Sequence, residues 1–319
     1  MIIQNQAELT QAVLSEVART PDPRLRRILA AAVQHLHDFV RETELTEPEF
    51  RKICAVIAQC GQLTTPSHNE VVLAAGSLGV SALVCQLNNS LGGTSETTAN
   101  LMGPFWRQGS PLTANGGSIV RSQTPGEPVF VKAWVQDESG EPVAGAEVDI
   151  WQASGDGYYE NQDPQQADMN LRGKFVTDAQ GCIEFRTVKP SGYPIPVTGP
   201  VGALIRAQGR HNMRPAHIHF LIHKSGYKTQ FSQLYSSDDP HLETDVQFGV
   251  TRALIGDYVL HENGHAPAAD VVGCWYSLEH HFVISHGEAA LPPPPITGKS
   301  QAPRPPLVIL ERSTEGIPR

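Results

Sequence analysis

No run of basic residues in this chain is long enough to neutralise a row of phosphates, and its 24 Lys and Arg against 33 Asp and Glu leave a formal net charge of -9. A nucleic-acid partner is therefore not expected. Nor does any stretch approach the roughly 20 apolar residues that a membrane-spanning helix requires. The first residues, MIIQNQAELTQAV, lack a basic segment followed by an apolar one, so the expected location is the cytoplasm. Cysteine is sparse: Cys54, Cys60, Cys85, Cys182 and Cys274 are scattered, odd in number and without a C-x-x-C pair. Such a set suits reduced thiols and argues against both a disulfide framework and a structural zinc held by cysteine.

What is present divides into three zones. At 319 residues the chain exceeds the size at which one core stops growing, so a full catalytic domain with a smaller helical one attached is expected. Leu25, Ile28, Leu29, Ala32, Leu36 and Phe39 recur at steps of three and four, the spacing of one buried helix face. Thr46 followed by Glu49 is a capping-box pattern that starts a second helix through Phe50, Ile53, Cys54 and Ile57, and residues 69–89 carry a further apolar face. After Gly92 and Gly93 the pattern changes to short β-rich runs separated by turns: 129–135, 146–151, 175–177, 183–188, 218–222, 231–235 and 282–284. The fold class expected is α+β, a helical domain over 1–95 followed by an antiparallel β-sandwich over 96–287, with the site on loops and strand ends. Eight of the 25 prolines fall in 288–319, which predicts an extended or disordered tail.

The segment Arg214-Pro-Ala-His217-Ile-His219 is the sharpest local feature, because residues two apart on a strand share a face and can offer two imidazoles to one metal. A cupin-like iron site would need a glutamate shortly after the second histidine, and Leu221 to Ser225 contains none. A copper site would need further histidines, which His211, His223, His280 or His281 could supply. The third class is iron(III) held by two histidines and two tyrosinates, since hard anionic phenolate oxygen stabilises the ferric ion. Tyrosines stand in suitable places, Tyr158 and Tyr159 after a Gly-rich loop following Trp151, and Tyr193 in Pro190-Ser-Gly-Tyr193.

Taken together, Leu78-Gly-Val-Ser81, Gly103-Pro-Phe105, the Trp151–Tyr159 segment, Pro-Ser-Gly-Tyr193 and Arg-Pro-Ala-His-x-His resemble the intradiol ring-cleaving dioxygenases, over roughly residues 20–285. The resemblance implies one Fe(3+) per chain, with Tyr159 and His217 as equatorial and Tyr193 and His219 as axial ligands. Tyr158 competes with Tyr159; the spacing from Trp151 favours the second. It also implies Arg214 as the active-site arginine and Gln233, or less well Gln230, as the active-site glutamine. A catecholic substrate would displace Tyr193, acting as internal base; O2 would then attack the ring, with Arg214 stabilising the charge, and an anhydride would open to a muconate-type diacid.

Ile195-Pro-Val-Thr-Gly-Pro-Val-Gly202 and Gly103-Pro-Phe105 look more like hydroxyquinol dioxygenases than simple catechol enzymes. The expected pocket wall is Leu73, Gly76, Leu101, Phe105, Ile195 and Pro196. Hydroxyquinol enzymes tend to carry aspartate where Gly76 aligns, so a polar contact is expected to be missing and room left for a ring substituent; catechol or a substituted catechol is the alternative. The resemblance further implies a homodimer formed through the helical region, with a lipid-sized apolar tunnel. A reading of another class is a sandwich domain that binds a phenolic ligand or a partner without turnover.

Overall fold

The structure, a computed structural model, describes residues 2–65, 68–90, 97–262 and 265–312. Two compact units divide at Gln59 and Cys60. The boundary expected near residue 95 falls outside the described residues. The first unit contains α1 (Gln6–Val17), α2 (Pro23–Glu42) and most of α3 (Glu47–Gln62). Asp22 caps α2 by accepting from the Leu25 N–H at 2.7 Å, and Pro23 at the first turn lacks only a donor that the helix would not use. The capping pattern ahead of α3 is realised, with Glu49 accepting from the Thr46 backbone N–H at 2.9 Å. The expected burial of the α2 face does not occur in the single chain: Leu25, Ile28, Leu36 and Phe39 are 45–62% exposed. A periodic apolar stripe specifies that a face wants a cover, and not where the cover comes from.

The second unit opens with α4 (Glu70–Ser77) and α5 (Val80–Asn89), then builds two main sheets. Its strands are β1 (Pro128–Asp137), β2 (Glu147–Gln152), β3 (Arg172–Val176), β4 (Cys182–Val188), β5 (Tyr193–Pro194), β6 (Met213–Arg214), β7 (His217–His223), β8 (Gln230–Ser236), β9 (Ile255–Gly256), β10 (Val259–His261) and β11 (Trp275–Ile284). One sheet has the order β10-β11-β1-β4, the other β3-β2-β7-β8-β9, and β5 pairs with β6 alone. The sheets are not wholly antiparallel as expected, since β1 runs parallel to β11 and β8 parallel to β9. All seven β-rich runs became strands; β5 and β6, two residues each, are too short to carry a periodicity, and the short helix α6 (Pro200–Ala207), with Val201 and Ile205 buried one turn apart, was not expected.

Alternation along β2 and β7 separates core from site. Val148 and Ile150 on β2, and Ile218, Phe220 and Ile222 on β7, join Val131, Ala133, Phe185 and Phe282 of the facing sheet in one buried cluster. The residues between them, Trp151 on β2 and Leu221 on β7, enter a second cluster with Phe105, Tyr159, Tyr193, Ile195 and Ile296. His217 and His219, having the same parity as Leu221, share that outer face. Sequestering the aliphatic side chains between the sheets fixes the register of β7, because a slip of one residue would turn the imidazoles in between the sheets and the core set onto the outer face.

The proline-rich tail departs from expectation: through Arg312 it has no regular structure yet lies against the second unit, with Ile296 only 1% exposed. Among the described residues no single helix is long and apolar enough to cross a membrane. All five cysteines are free.

Candidate active site

Four donor atoms meet on the outer face of β7. Tyr159 Oη lies 3.0 Å from His219 Nε2, 3.3 Å from His217 Nε2 and 3.3 Å from Tyr193 Oη, and the two imidazole Nε2 atoms are 3.1 Å apart. Tyr159, His217 and His219 are at most 1% exposed and Tyr193 is 6% exposed. His217 Nδ1 donates to the Pro215 carbonyl at 2.6 Å, which puts the proton on Nδ1 and leaves Nε2 an acceptor that faces the cluster, 3.4 Å from Arg214 Nη1. Burial first, and then the Arg214 charge, hold the His217 imidazole down at about 3, and burial with His217 and Arg214 depresses His219 strongly. Both are therefore neutral imidazoles. Burial, reinforced by Tyr193, raises the Tyr159 phenol well above its usual range, so only a strong cation could take its proton's place.

Each donor is delivered by a different device. Trp151 sits opposite His219 in the β2–β7 register and stacks on its ring at 4.6 Å, 8° from parallel. Tyr159 is fixed by its neighbours: Glu160 accepts from Arg172 Nε at 2.6 Å and Arg107 Nη1 at 2.7 Å, and Phe105 lies 4.4 Å from the Tyr159 ring. Tyr193 is placed by pairing of β5 with β6, where it opposes Arg214. The Gly103-Pro-Phe105 motif has a steric reason: Gly103 adopts φ +69, and a Cβ there would stand 3.2 Å from His219 Cε1. Tyr158 points elsewhere, donating to the Pro305 carbonyl at 2.8 Å, so Tyr159 is the tyrosine that joins the cluster.

Arg214 is 3% exposed and held from several sides. Its Nε and Nη2 donate to the two oxygens of Asp245 at 3.2 and 3.1 Å, and Nη2 also donates to Gln233 Oε1 and Tyr235 Oη, each at 2.9 Å. Burial alone would favour the neutral guanidine, but Asp245, Tyr235 and Tyr193 outweigh it and keep the group charged. Asp245 is in turn held below the usual carboxylate range, the Arg214 charge and hydrogen bond prevailing over burial. Gln233 opposes His219 in the β7–β8 register, whereas Gln230 bonds Thr98 Oγ1 at 2.9 Å, remote from the donors.

Beside this cluster opens a cavity of about 520 Å3. Leu73, Leu101, Phe105, Ile195 and Pro196 line it, as do Tyr193 and Arg214. Gly76 does not. Its backbone lies against Gln247, whose Oε1 would be 1.7 Å from a Gly76 Cβ, and it is Gln247 that lines the cavity. The room expected at Gly76 is thus filled by an amide. Gln233 is absent from the wall as well; its Oε1 accepts from Arg214 Nη2.

Tyr235, Asp245, Gln247 and Leu307 were not singled out from sequence. Tyr235 could have been found, since it stands two residues from Gln233 on the same strand face. Asp245 and Gln247 follow β8 in a loop and carry no local signal.

Two family profiles match the chain, one described as Dioxygenase over residues 101–278 and one as Catechol dioxygenase N terminus over residues 22–93. The chain belongs to the intradiol catechol dioxygenase family. A hydroxyquinol 1,2-dioxygenase from Rhizobium sp. (strain MTP-10005) is 38% identical over 279 residues, covering 86% of this chain and 94% of the relative. A 6-chlorohydroxyquinol 1,2-dioxygenase from Cupriavidus pinatubonensis is 39% identical over 282 residues, covering 88% and 98%. The solved hydroxyquinol 1,2-dioxygenase from Pseudomonas putida DLL-E4 matches with a TM-score of 0.78 at 36% identity, over 88% of this chain and 99% of that one. The protein is an intradiol ring-cleavage dioxygenase, and the reading of a binder without turnover falls away.

Intradiol dioxygenases generally use non-haem iron(III). The donor set of this intradiol dioxygenase fits such an ion: two neutral imidazoles and two phenols, with their four donor atoms facing one another in a buried site. Atoms bound about 2.0–2.2 Å from a common metal stand about 3 to 3.5 Å from each other, the spacing found here.

Proposed function

We propose that this intradiol dioxygenase holds one ferric ion through Tyr159, Tyr193, His217 and His219 and cleaves hydroxyquinol between its adjacent hydroxylated carbons, giving maleylacetate. The observation that carries the metal assignment is the convergence of four buried donor atoms within 3.0–3.3 Å of Tyr159 Oη or of each other. Bound there, iron(III) supplies a Lewis-acid centre that favours the dianion of a catechol and activates the ring toward O2.

The chain's own residues then have distinct tasks. Tyr193 is the donor that faces the cavity, whereas Tyr159 does not line it, so Tyr193 Oη is placed to receive a proton from an incoming substrate hydroxyl. Arg214, a fixed cation on the cavity wall, stabilises negative charge that develops on the ring, and it needs no reorganisation because Asp245, Gln233 and Tyr235 already orient it. Leu73, Phe105 and Ile195 pack the ring and exclude water.

The names of the similar relatives support hydroxyquinol, and so does Gln247, which restores a polar group where Gly76 removes one. Catechol or a substituted catechol is the second reading, favoured by the absence of a carboxylate at Gly76. The deciding experiment is kcat/KM for hydroxyquinol, catechol and 4-methylcatechol, following the ring-opened diacid. A preference for hydroxyquinol supports the first reading, and parity or reversal supports the second.

The exposed apolar face of α2 further supports a homodimer through the helical region, a place where an apolar tunnel could take a lipid. Light scattering that found only monomers at micromolar concentration would remove this assembly. The free cysteines accord with a cytoplasmic setting.

A further inference from the structure

The proline-rich tail lies outside both matched family regions, which end at residue 278. In the structure it is tied, residue by residue, to the two segments that carry the tyrosines of the donor cluster. The Ser300 N–H donates to the Asn161 carbonyl at 2.8 Å, and Lys299 Nζ donates to the Gln166 carbonyl, both in the stretch after Tyr159. Arg304 pairs with Asp156 at 2.9 Å and with Asp163, and its guanidinium lies 4.2 Å over the Tyr158 ring. Tyr158 in turn donates to the Pro305 carbonyl at 2.8 Å.

The other anchor is Asn212, which is fully buried. Its Nδ2 donates to the Ile195 carbonyl at 2.8 Å and to the Val308 carbonyl at 2.9 Å, while its Oδ1 accepts from the Leu310 N–H at 2.8 Å. Without the tail, two of these three bonds would be lost from a side chain inside the protein, which is costly for a buried amide. Between the anchors, Leu307 lines the cavity. A point one Cβ out from Gly157 is 3.3 Å from both Leu307 Cδ1 and Tyr193 Cβ, so the leucine sits at the base of the cavity-facing tyrosine. Pro303, Pro305 and Pro306 favour an extended backbone at low entropic cost, as a segment that spans without a sheet partner requires.

We propose that residues 296–310 are a strap across the cavity mouth and that Leu307 is a specificity-determining wall residue supplied by it. The proposal rests on the reading that the cavity beside Arg214 receives the substrate ring. Leu307 then limits how large a ring substituent can point toward the mouth, and the strap holds the loops of Tyr159 and Tyr193 at a fixed separation.

The test is steady-state kinetics of wild type, Leu307→Ala and Leu307→Trp on catechol and 4-tert-butylcatechol, with iron content and visible absorbance recorded for each. Both variants should fold, because Leu307 is 37% exposed and lies outside the core clusters. Leu307→Ala should raise the 4-tert-butylcatechol/catechol ratio of kcat/KM by about tenfold, and Leu307→Trp should lower it comparably. An unchanged ratio in both iron-loaded variants overturns the proposal. If wild type turned over neither catechol nor hydroxyquinol, the cavity reading would fail instead, and the two failures are separable. A third variant, Arg304→Ala, releases the strap from Asp156 and Asp163 without touching a residue of the cavity wall; it should shift the ratio toward the bulky substrate, whereas a strap unrelated to the cavity would leave it alone.

Discussion

Gln247 occupies the space that a side chain on Gly76 would need, its Oε1 standing 1.7 Å from the Cβ position. The amide is held by donation to Ser77 Oγ at 2.8 Å, so a group on α4 and one on the loop after β8 compete for a single volume.

Substrate choice should follow that competition. Gln247→Ala should lower the hydroxyquinol/catechol ratio of kcat/KM by about 2- to 12-fold, the equivalent of one hydrogen bond worth about 0.5–1.5 kcal/mol. Gly76→Asp alone should impair every substrate, because the carboxylate and the amide cannot both fit. Gly76→Asp with Gln247→Ala should recover hydroxyquinol turnover. A ratio untouched by Gln247→Ala would take the amide out of recognition.

Arg214→Ala should depress turnover of all catechols alike, by about 10²- to 10³-fold, since its partner is developing charge on the ring and not a substituent. Asp245→Asn should show a weaker form of the same defect, its pairing at 3.1 Å being what orients the guanidinium. Comparison of kcat on the three proteins checks both, and near-normal turnover in Arg214→Ala would remove the arginine from the chemistry.

The Glu160 cluster is predicted to matter for stability before activity. Arg172 is 1% exposed and Arg107 7% exposed, so Glu160→Ala strands the buried Arg172 cation and leaves Arg107 only its pair with the exposed Asp168. The expected loss is about 3–5 kcal/mol, about 2–4 °C of Tm per kcal/mol for a unit of this size, measured by calorimetry. A shift under about 2 °C would mean that the cluster relaxes freely or admits water.

Protons should destabilise the iron-free protein below neutrality. Burial lowers the imidazoles of His217, to about 3, and His280, to about 4, and lowers His219 strongly. Unfolded histidines titrate near about 6.5, so below that pH the unfolded chain binds protons that the folded chain refuses. Stability present at pH 7 is then lost as pH falls, by up to about 1.4 kcal/mol per unit for each imidazole. The Tm of chelator-treated protein measured from pH 8 to pH 5 should decline, and less so in the variant with His217→Gln and His219→Gln together. Equal slopes would show that these imidazoles are not buried neutral without the metal.

Much of this was legible beforehand, for physical reasons that differ by residue. His217 and His219 declare themselves because strand parity puts them on one face, and the β-rich runs declare themselves because alternation has a two-residue period. Leu73, Leu101, Phe105, Ile195 and Pro196 line the cavity beside the donor cluster. Gly76 does not; the absence of a side chain says nothing about which neighbour fills the gap. The tail was read as extended or disordered; its composition does favour extension, but its order comes from partners such as Asn212 and Asp163, more than 90 residues away in sequence. Asp245 likewise meets Arg214 only through the fold.

The central claim, one ferric ion held by two tyrosinates and two imidazoles, is tested most directly by iron content and visible absorbance of the purified protein beside His217→Ala and Tyr159→Phe. About one iron per chain is predicted, with the red to burgundy colour of ferric tyrosinate. His217→Ala should lose both iron and colour, and Tyr159→Phe should lose or shift the visible band, because Tyr159 Oη is the donor nearest to all the others. A colourless preparation with full activity, or a Tyr159→Phe protein that keeps the wild-type band, would contradict the account.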